Sequence, residues 1–318
     1  MKSSRFVLKF IVLSSVLLSG AALTHAQATR TWVASVAAGG DDANPCSRSA
    51  PCKTFAGAIA KTHEGGEIDA VDPDSYGSVT ITKAITIDGG TGAGWASILA
   101  TQNANGIVVN INTTGINHPD SADVNLRNLS INGAKQAGTA GDVGIDILRG
   151  AQVHITNVSI QNFANQGIRV EAAEDVLLFL DNVMLTRDTT AVRLNATAGT
   201  ILAQLNHVNV QGSTNGIYAV ANARATIRDS YFGRTTGTST GAVRAASGCT
   251  INIENSMFSH NELAVNCESG GTVRISTNSF YNNSVALSGA GTIATATNTN
   301  KFAGNGSDGA TNDVITLK

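Results

Sequence analysis

The chain has 318 residues, with 21 Lys and Arg against 23 Asp and Glu, and only 14% of it is charged. That balance gives no electrostatic basis for binding nucleic acid or an anionic membrane surface. So low a charge density also leaves little material for a crowded, charge-rich active site, whereas 33 glycines among many Ala, Thr and Asn suit short strands joined by tight turns.

Residues 1–28 have the order of an export signal peptide. Lys2, Arg5 and Lys9 form a basic start, Phe10 to Leu18 an apolar run, and Ala26-Gln27-Ala28 a small-x-small cleavage site. Cleavage after Ala26 satisfies the same rule. Ser14, Ser15 and Ser19 interrupt the run too often for a membrane span. No later apolar run offers an anchor, so no integral membrane segment is expected once the signal is removed. Without the three basic residues the balance is 18 basic to 23 acidic, a net of about −5. The expected location is secreted, periplasmic or cell-surface.

Residues 29–66 form an N-terminal unit. A strand is expected over Thr31–Val36, a loop over Gly39–Pro51 and the chain's one convincing helix over Lys53–Thr62. Phe55, Ala58, Ile59 and Thr62 share a face of that helix, and Gly65-Gly66 would stop it. A short amphipathic helix ahead of a strand array makes sense as a lid over apolar interior and open strand edges. Cys46 and Cys52, six apart in a Pro-containing loop of an exported chain, are expected to form a local disulfide. Strands follow over Glu67–Val71, Val79–Thr82 and Ala84–Asp88.

Residues 67–318 are dominated by a repeat: two alternating apolar residues, a turn residue, and a further apolar residue. It reads Val124-x-Leu126-x-Asn128-x-x-Ile131, then Val153-x-Ile155-x-Asn157-x-x-Ile160, and recurs through Val273-x-Ile275-x-Thr277-x-x-Phe280. The second apolar residue falls at 126, 155, 180, 205, 227, 253 and 275, in steps of 22 to 29 residues. Strand repeats of this length mark a solenoid. A third strand in each repeat carries a small-residue column, Gly144, Gly167, Ala191, Gly216, Ala242, Ala264 and Ala286. An inward column follows it: Ile145, Ile168, Val192, Ile217, Val243, Val265 and Leu287.

Three strands per coil make a triangular section in which equivalent residues stack about 4.8 Å apart. The steps exceed hexapeptide coils and fall short of a propeller blade of roughly 40 residues. The expected fold is therefore all-β, a right-handed parallel β-helix of three sheets with a short N-terminal capping helix. The turn residues Asn128, Asn157, Asn182 and Asn255 tolerate left-handed backbone and can form an amide ladder, with His207, Asp229 and Thr277 substituting. Cys249 and Cys267 lie 18 apart, nearly one repeat, and either staple neighbouring coils or simply fill the core. Residues 300–318 are expected to cap the far end.

The segment Asp41-Asp42-Ala43-Asn44-Pro45-Cys46 through Pro51-Cys52-Lys53-Thr54-Phe55, followed by Gly65-Gly66-Glu67-Ile68, resembles the cap region of exported pectin-lyase-like β-helix proteins. The resemblance covers roughly residues 30–310. It implies the fold without a reaction, because the superfamily holds lyases, hydrolases, epimerases, adhesins and phage tail proteins.

In the enzymes of this superfamily, the working groove usually lies on the outer face of the first sheet. Here that face presents Asp146, Arg169, Arg193, Tyr218, Arg244, Asn266 and Ser288. A second column reads Leu148, Glu171, Asn195, Val220, Ala246 and Glu268. Arginine forks, carboxylates and a Tyr ring on a flat sheet suit a sugar chain, and equally suit a solvated face of alternating charge. If the face is catalytic, Asp146, Arg169, Glu171 and Arg193 are the candidates. If it only binds, Tyr218, Arg244, Asn266 and Glu268 join them.

Two carboxylates beside two arginines are few for calcium, which belongs only to a polyuronate-lyase reading. No Asp-Asp pair for inverting hydrolysis stands on this face. No other cofactor or metal is expected, since no C-x-x-C or His cluster occurs. Asp69, Asp72, Asp74 and Asp88 read as turn acids, and Gly89 to Gly94 as a turn. The loop Asn112–Ser121 is an insertion of the kind that overhangs a solenoid's binding face. The reading that follows is a monomeric protein of undetermined activity, non-catalytic or cryptically catalytic, contacting a polysaccharide at the cell surface or outside the cell. Its rivals are a polysaccharide lyase acting on a uronic-acid polymer and a purely structural, self-associating surface protein.

Overall fold

Alternating inward and outward residues can bury one face only by closing the chain on itself, and this chain does so by coiling. A computed structural model describes residues 27–90, 96–112, 122–135, 138–150 and 152–315. The signal-like segment 1–26, most of the glycine turn (91–95) and nearly all of the inserted loop (113–121) lie outside the described residues. The chain forms an all-β parallel solenoid of about 8 turns, the β-helix expected from the repeat.

One face is a nine-stranded parallel sheet running from Val79–Ile81 to Val285–Ser288, with Val143–Arg149, Gln166–Ala172 and Thr190–Ala196 at its centre. The other two expected faces are joined into a single seventeen-stranded sheet. The reason lies at the corner: Gln152–Gln161, Val176–Thr186 and Ile201–Gln211 each continue as one strand through a left-handed residue. Hydrogen bonding to the next coil resumes directly beyond it.

That corner is the predicted turn column. Asn128, Asn157, Asn182, His207, Asp229, Asn255 and Thr277 all take positive φ, between 47° and 58°. The Asn157 Nδ2 donates to Asn128 Oδ1 at 3.3 Å, and Asn182 Nδ2 donates to Asn157 Oδ1 at 2.7 Å. His207 belongs to this column, with its Nδ1 3.2 Å from Asp181 Oδ1. Replacing Asn157 with Ala should lower stability by about 1–2 kcal/mol, because alanine resists left-handed backbone and breaks the ladder on both sides. An unchanged thermal midpoint would contradict the ladder's role.

The inward column from Ile145 to Leu287 is buried throughout. The small-residue column has a steric cause. A Cβ on Gly216 would stand 2.0 Å from the Ala242 carbonyl oxygen of the next coil. Later coils add a stack of rings, Phe232, Phe258, Phe280 and Phe302, with centroids 4.8 to 4.9 Å apart. Buried polar columns flank it. Ser256 N donates to Asn278 Oδ1 at 2.8 Å and Asn278 N to Asn300 Oδ1 at 2.9 Å; on the other side Asn261 N donates to Asn283 Oδ1 at 3.0 Å and Asn283 N to Asn305 Oδ1 at 2.9 Å.

The N-terminal unit departs from expectation in its boundaries. The first strand is Ala28–Val33, and Ser35 then caps a 3-10 turn, Val36–Ala38. The helix is only Phe55–Ile59, capped by Thr54, whose hydroxyl accepts from Gly57 N at 2.9 Å. It ends early because Thr62–Ala70 is already a strand pairing with Ala28–Val33, so Gly65-Gly66 lie inside a strand rather than stopping a helix. The far end also differs. Lys301–Ala303 extends the coil by one more strand and Asp313–Val314 pairs beside Thr292–Thr295, so the expected cap is partly a further coil.

Cys46 and Cys52 form the expected disulfide, with Cα atoms 4.6 Å apart. Cys249 and Cys267 do not form one: both are free and buried. Cys267 ends the strand Leu263–Cys267 with its thiol turned to the Thr292 carbonyl at 3.4 Å, while Cys249 precedes a strand of the other sheet. They fill the core as small apolar residues. Burial pushes the Cys267 thiol up to about 11 and raises Cys249 as well, which keeps both protonated and inert. Thiol titration without reductant should count no reactive thiol in the folded protein and two on denaturation; a thiol that reacts in the folded state would refute their burial.

Candidate functional site

Strand register builds the outward column as the alternation dictates. Arg169 pairs beside Asp146 and beside Arg193, then Arg193 beside Tyr218, Tyr218 beside Arg244, Arg244 beside Asn266 and Asn266 beside Ser288. In the second column Glu171 pairs beside Asn195, but a register shift then sets Asn195 beside Ala221 rather than Val220.

Asp146, Arg169, Glu171 and Arg193 come together across three coils. Asp146 is only 3% exposed in its side chain. Arg169 grips it as a fork, donating from Nε to Oδ1 at 2.8 Å and from Nη2 to Oδ2 at 2.7 Å. Asn105 Nδ2 adds a third donor at 2.9 Å. The hydrogen bond to Asp146 raises the Arg169 pKa further. Arg169 Nε also stands 4.0 Å from Glu171 Oε2, so it bridges two carboxylates. Glu171 in turn accepts from Arg193 Nη1 and Asn195 Nδ2, each at 3.1 Å.

Tyr218, Arg244 and Glu268 form a second group. The Arg244 guanidinium carbon lies 4.2 Å above the Tyr218 ring, a cation–π contact. Arg244 Nε donates to Glu268 Oε1 at 2.6 Å, and its Nη2 donates to the same oxygen. Asn266 turns aside to donate to the Ser239 carbonyl at 2.7 Å.

The chemistry of this face follows from its pairing. Asp146, Glu171 and Glu268 each accept hydrogen bonds from an arginine, so the oxygens a reacting group would need are already engaged. Oxygens that a calcium ion would take are turned to Arg169, Arg193, Asn105 and Asn195, so the donor set does not fit a cation requiring six or more oxygens. Among the described residues no three His, Cys, Asp or Glu side chains gather as metal ligands. Glu174 and Asp175 are structural turn acids: Glu174 lies 3.9 Å from Arg149, and Asp175 accepts from Thr200 N at 2.8 Å.

Sequence reasoning misplaced one acidic group. Asp72 and Asp74 do cap turns, through Ser35 N and Ser75 N. Asp69 and Asp88 instead stand in strands, in register with each other, beside Glu67, Arg30 and Arg127. Of these, Arg30, Glu67, Asp69 and Asp88 line a cleft of about 190 Å³ with Trp32 and Arg48. Burial, then a hydrogen bond with Glu67, pushes Asp69 up to about 6. Burial also works to raise Glu67, but hydrogen bonds from Arg30 and Asp69 outweigh it and hold that carboxyl low. The alternation Arg30-x-Trp32 beside Glu67-x-Asp69 was the available signal.

No protein-family model matches the sequence, and no curated protein matches it. Among solved structures, the chain is similar to the crystal structure of pectate lyase Pel9A, with a TM-score of 0.51 and 13% identity over 86% of this chain and 80% of that one. It is also similar to ORF18 of Geobacillus virus E2, with a TM-score of 0.47 and 13% identity over 97% of this chain and 64% of that one. The first likeness agrees with the coil geometry in showing a parallel β-helix. At such identity it is a likeness of fold alone.

Proposed function

We propose that the protein is an exported, non-catalytic β-helix protein that contacts carbohydrate through the outer face of its nine-stranded sheet. One observation carries this reading: each carboxylate of the face is held by arginine, while planar groups such as the Tyr218–Arg244 pair stay partly exposed. Such a face offers fixed donors and a ring for stacking, but no free base. Export is supported by the signal-like N-terminus and by the Cys46–Cys52 disulfide, a bond suited to oxidising compartments.

The purified protein should retain polysaccharide in a binding assay and give no rise in unsaturated-product absorbance from a polyuronate panel, with or without chelator. Sustained turnover abolished by Arg193→Ala would replace this reading with the lyase. Sedimentation as an oligomer with no glycan retained would replace it with the structural one.

A further inference from the structure

A second corner of the coil, just before the nine-stranded sheet, is also left-handed. Its column reads Ala134, Asn162, Arg187, Gly212, Arg234, His260, Asn282 and Gly304, all with positive φ. Asn and Gly suit this backbone; arginine at φ 60° and 58° does not, and such strain is held where a side chain has other work. The backbone here is already satisfied, with Arg187 N bonded to Gln211 O at 3.1 Å and Arg234 N to Ser259 O at 3.2 Å.

The side chains are exposed and, among the described residues, neither guanidinium meets a carboxylate within ion-pair distance. The arginines of the sheet face are all so paired. Arg187, Gly212, Arg234 and His260 line a cavity of about 640 Å³ together with Thr186, Thr236 and Gln211; Thr235 borders it too, but its hydroxyl is turned inward to Asn261 Oδ1 at 2.9 Å. Glu262, held by Ser284 Oγ at 3.0 Å, is the one acid in it.

We propose that this corner is an oxyanion-binding groove, and that its ligand is a sulfated polysaccharide lying along the axis. The two guanidiniums rise from coils two apart, about 9.6 Å at the usual strand spacing. Gly212 between them leaves the floor open: a Cβ there would already touch Arg187 Cγ at 3.7 Å. An anion seated over Gly212 therefore meets guanidinium donors from both sides. A tetrahedral oxyanion has terminal oxygens pointing in several directions and uses all of these donors, whereas a planar carboxylate is filled by one fork. The mildly acidic chain argues against a nucleic acid as the source of that oxyanion. This groove is distinct from the sheet face and does not require it to bind anything.

Calorimetry of the purified protein with dextran sulfate oligomers, unsulfated dextran, oligogalacturonate and polyphosphate tests the proposal. Dextran sulfate should bind best, more weakly as salt rises. Arg187→Asn/Arg234→Asn should keep or raise the thermal midpoint, because asparagine suits left-handed backbone, and should weaken binding roughly tenfold or more. Gly212→Asp should also weaken binding, by placing a charge of the ligand's own sign on the floor, at some cost in thermal midpoint from the left-handed backbone there. Absence of sulfate-dependent binding, equal binding of oligogalacturonate, preference for polyphosphate, or binding unchanged in the double variant each overturns the proposal. Retention of unsulfated glycan, lost in a Tyr218→Ala variant and kept in the corner variants, would leave the sheet-face reading standing without it.

Discussion

Replacing Asp188 with asparagine is expected to abolish most of the loss of stability on going from about pH 4 to pH 8. Asp188 follows the left-handed Arg187 and points inward, 1% exposed. Its Oδ1 accepts from Phe163 N at 2.9 Å, but its Oδ2 has no partner. Burial pushes this carboxyl up to about 8 from an ordinary 3.8, against the lowering effect of the Phe163 hydrogen bond. The sign follows directly. The unfolded chain releases this proton near pH 4 and the folded chain retains it until about pH 8. The contribution is therefore complete below pH 4, declines across that window and then levels off. At 1.36 kcal/mol per unit, the rise from 3.8 to about 8 makes the loss of order 5–6 kcal/mol.

Downstream coils show why asparagine is suited to the site. Asn261, Asn283 and Asn305 occupy the equivalent position and donate from Nδ2 to the carbonyls of Phe232, Phe258 and Phe280, each at 3.0 Å. Urea midpoints measured across the pH range should fall for the wild type up to about pH 8 and, for Asp188→Asn, fall far less and not at all above about pH 6, where the contribution of Asp69 ends. Two parallel profiles would show that the buried carboxyl does not control the slope.

Arg169→Met should destabilise the protein by about 3–5 kcal/mol, the usual cost of leaving a buried charge without its partner. Asp146 would keep only Asn105 as a side-chain donor. The double change Asp146→Leu/Arg169→Met should recover most of the loss, because a matched apolar pair restores burial without an orphan charge. Arg193→Ala, facing the more exposed Glu171, should cost about 1 kcal/mol or less. Equal losses for Arg169→Met and Arg193→Ala in chemical denaturation would refute the structural role assigned to the Asp146 fork.

The fold was legible because its cause is local and repeated. Strand alternation set the inward column from Ile145 to Leu287, and the turn residue at 128, 157 and 182 set the corner. The outward column came with the same register. What alternation cannot convey is pairing: that Arg169 would bridge two carboxylates, or that Asn195 would slip beside Ala221. The Cys249–Cys267 staple failed for the same reason, since a separation near one repeat does not say which face a residue occupies. Arg187 and Arg234 escaped notice because no periodicity of apolar residues marks them. Their signal is backbone handedness, which composition does not encode for arginine.

The buried asparagine columns have a consequence for how such a chain changes length. Asn278 to Asn300 and Asn283 to Asn305 both advance by 22 residues, and Phe258, Phe280 and Phe302 keep the same step. Duplicating any 22-residue stretch there would add a coil with every ring and amide finding its counterpart. An insertion of another size would bring a mismatched residue into the dry interior unless it bulged out at a turn. Growth is thereby quantised: the rod can extend by whole coils, carrying its surfaces with it.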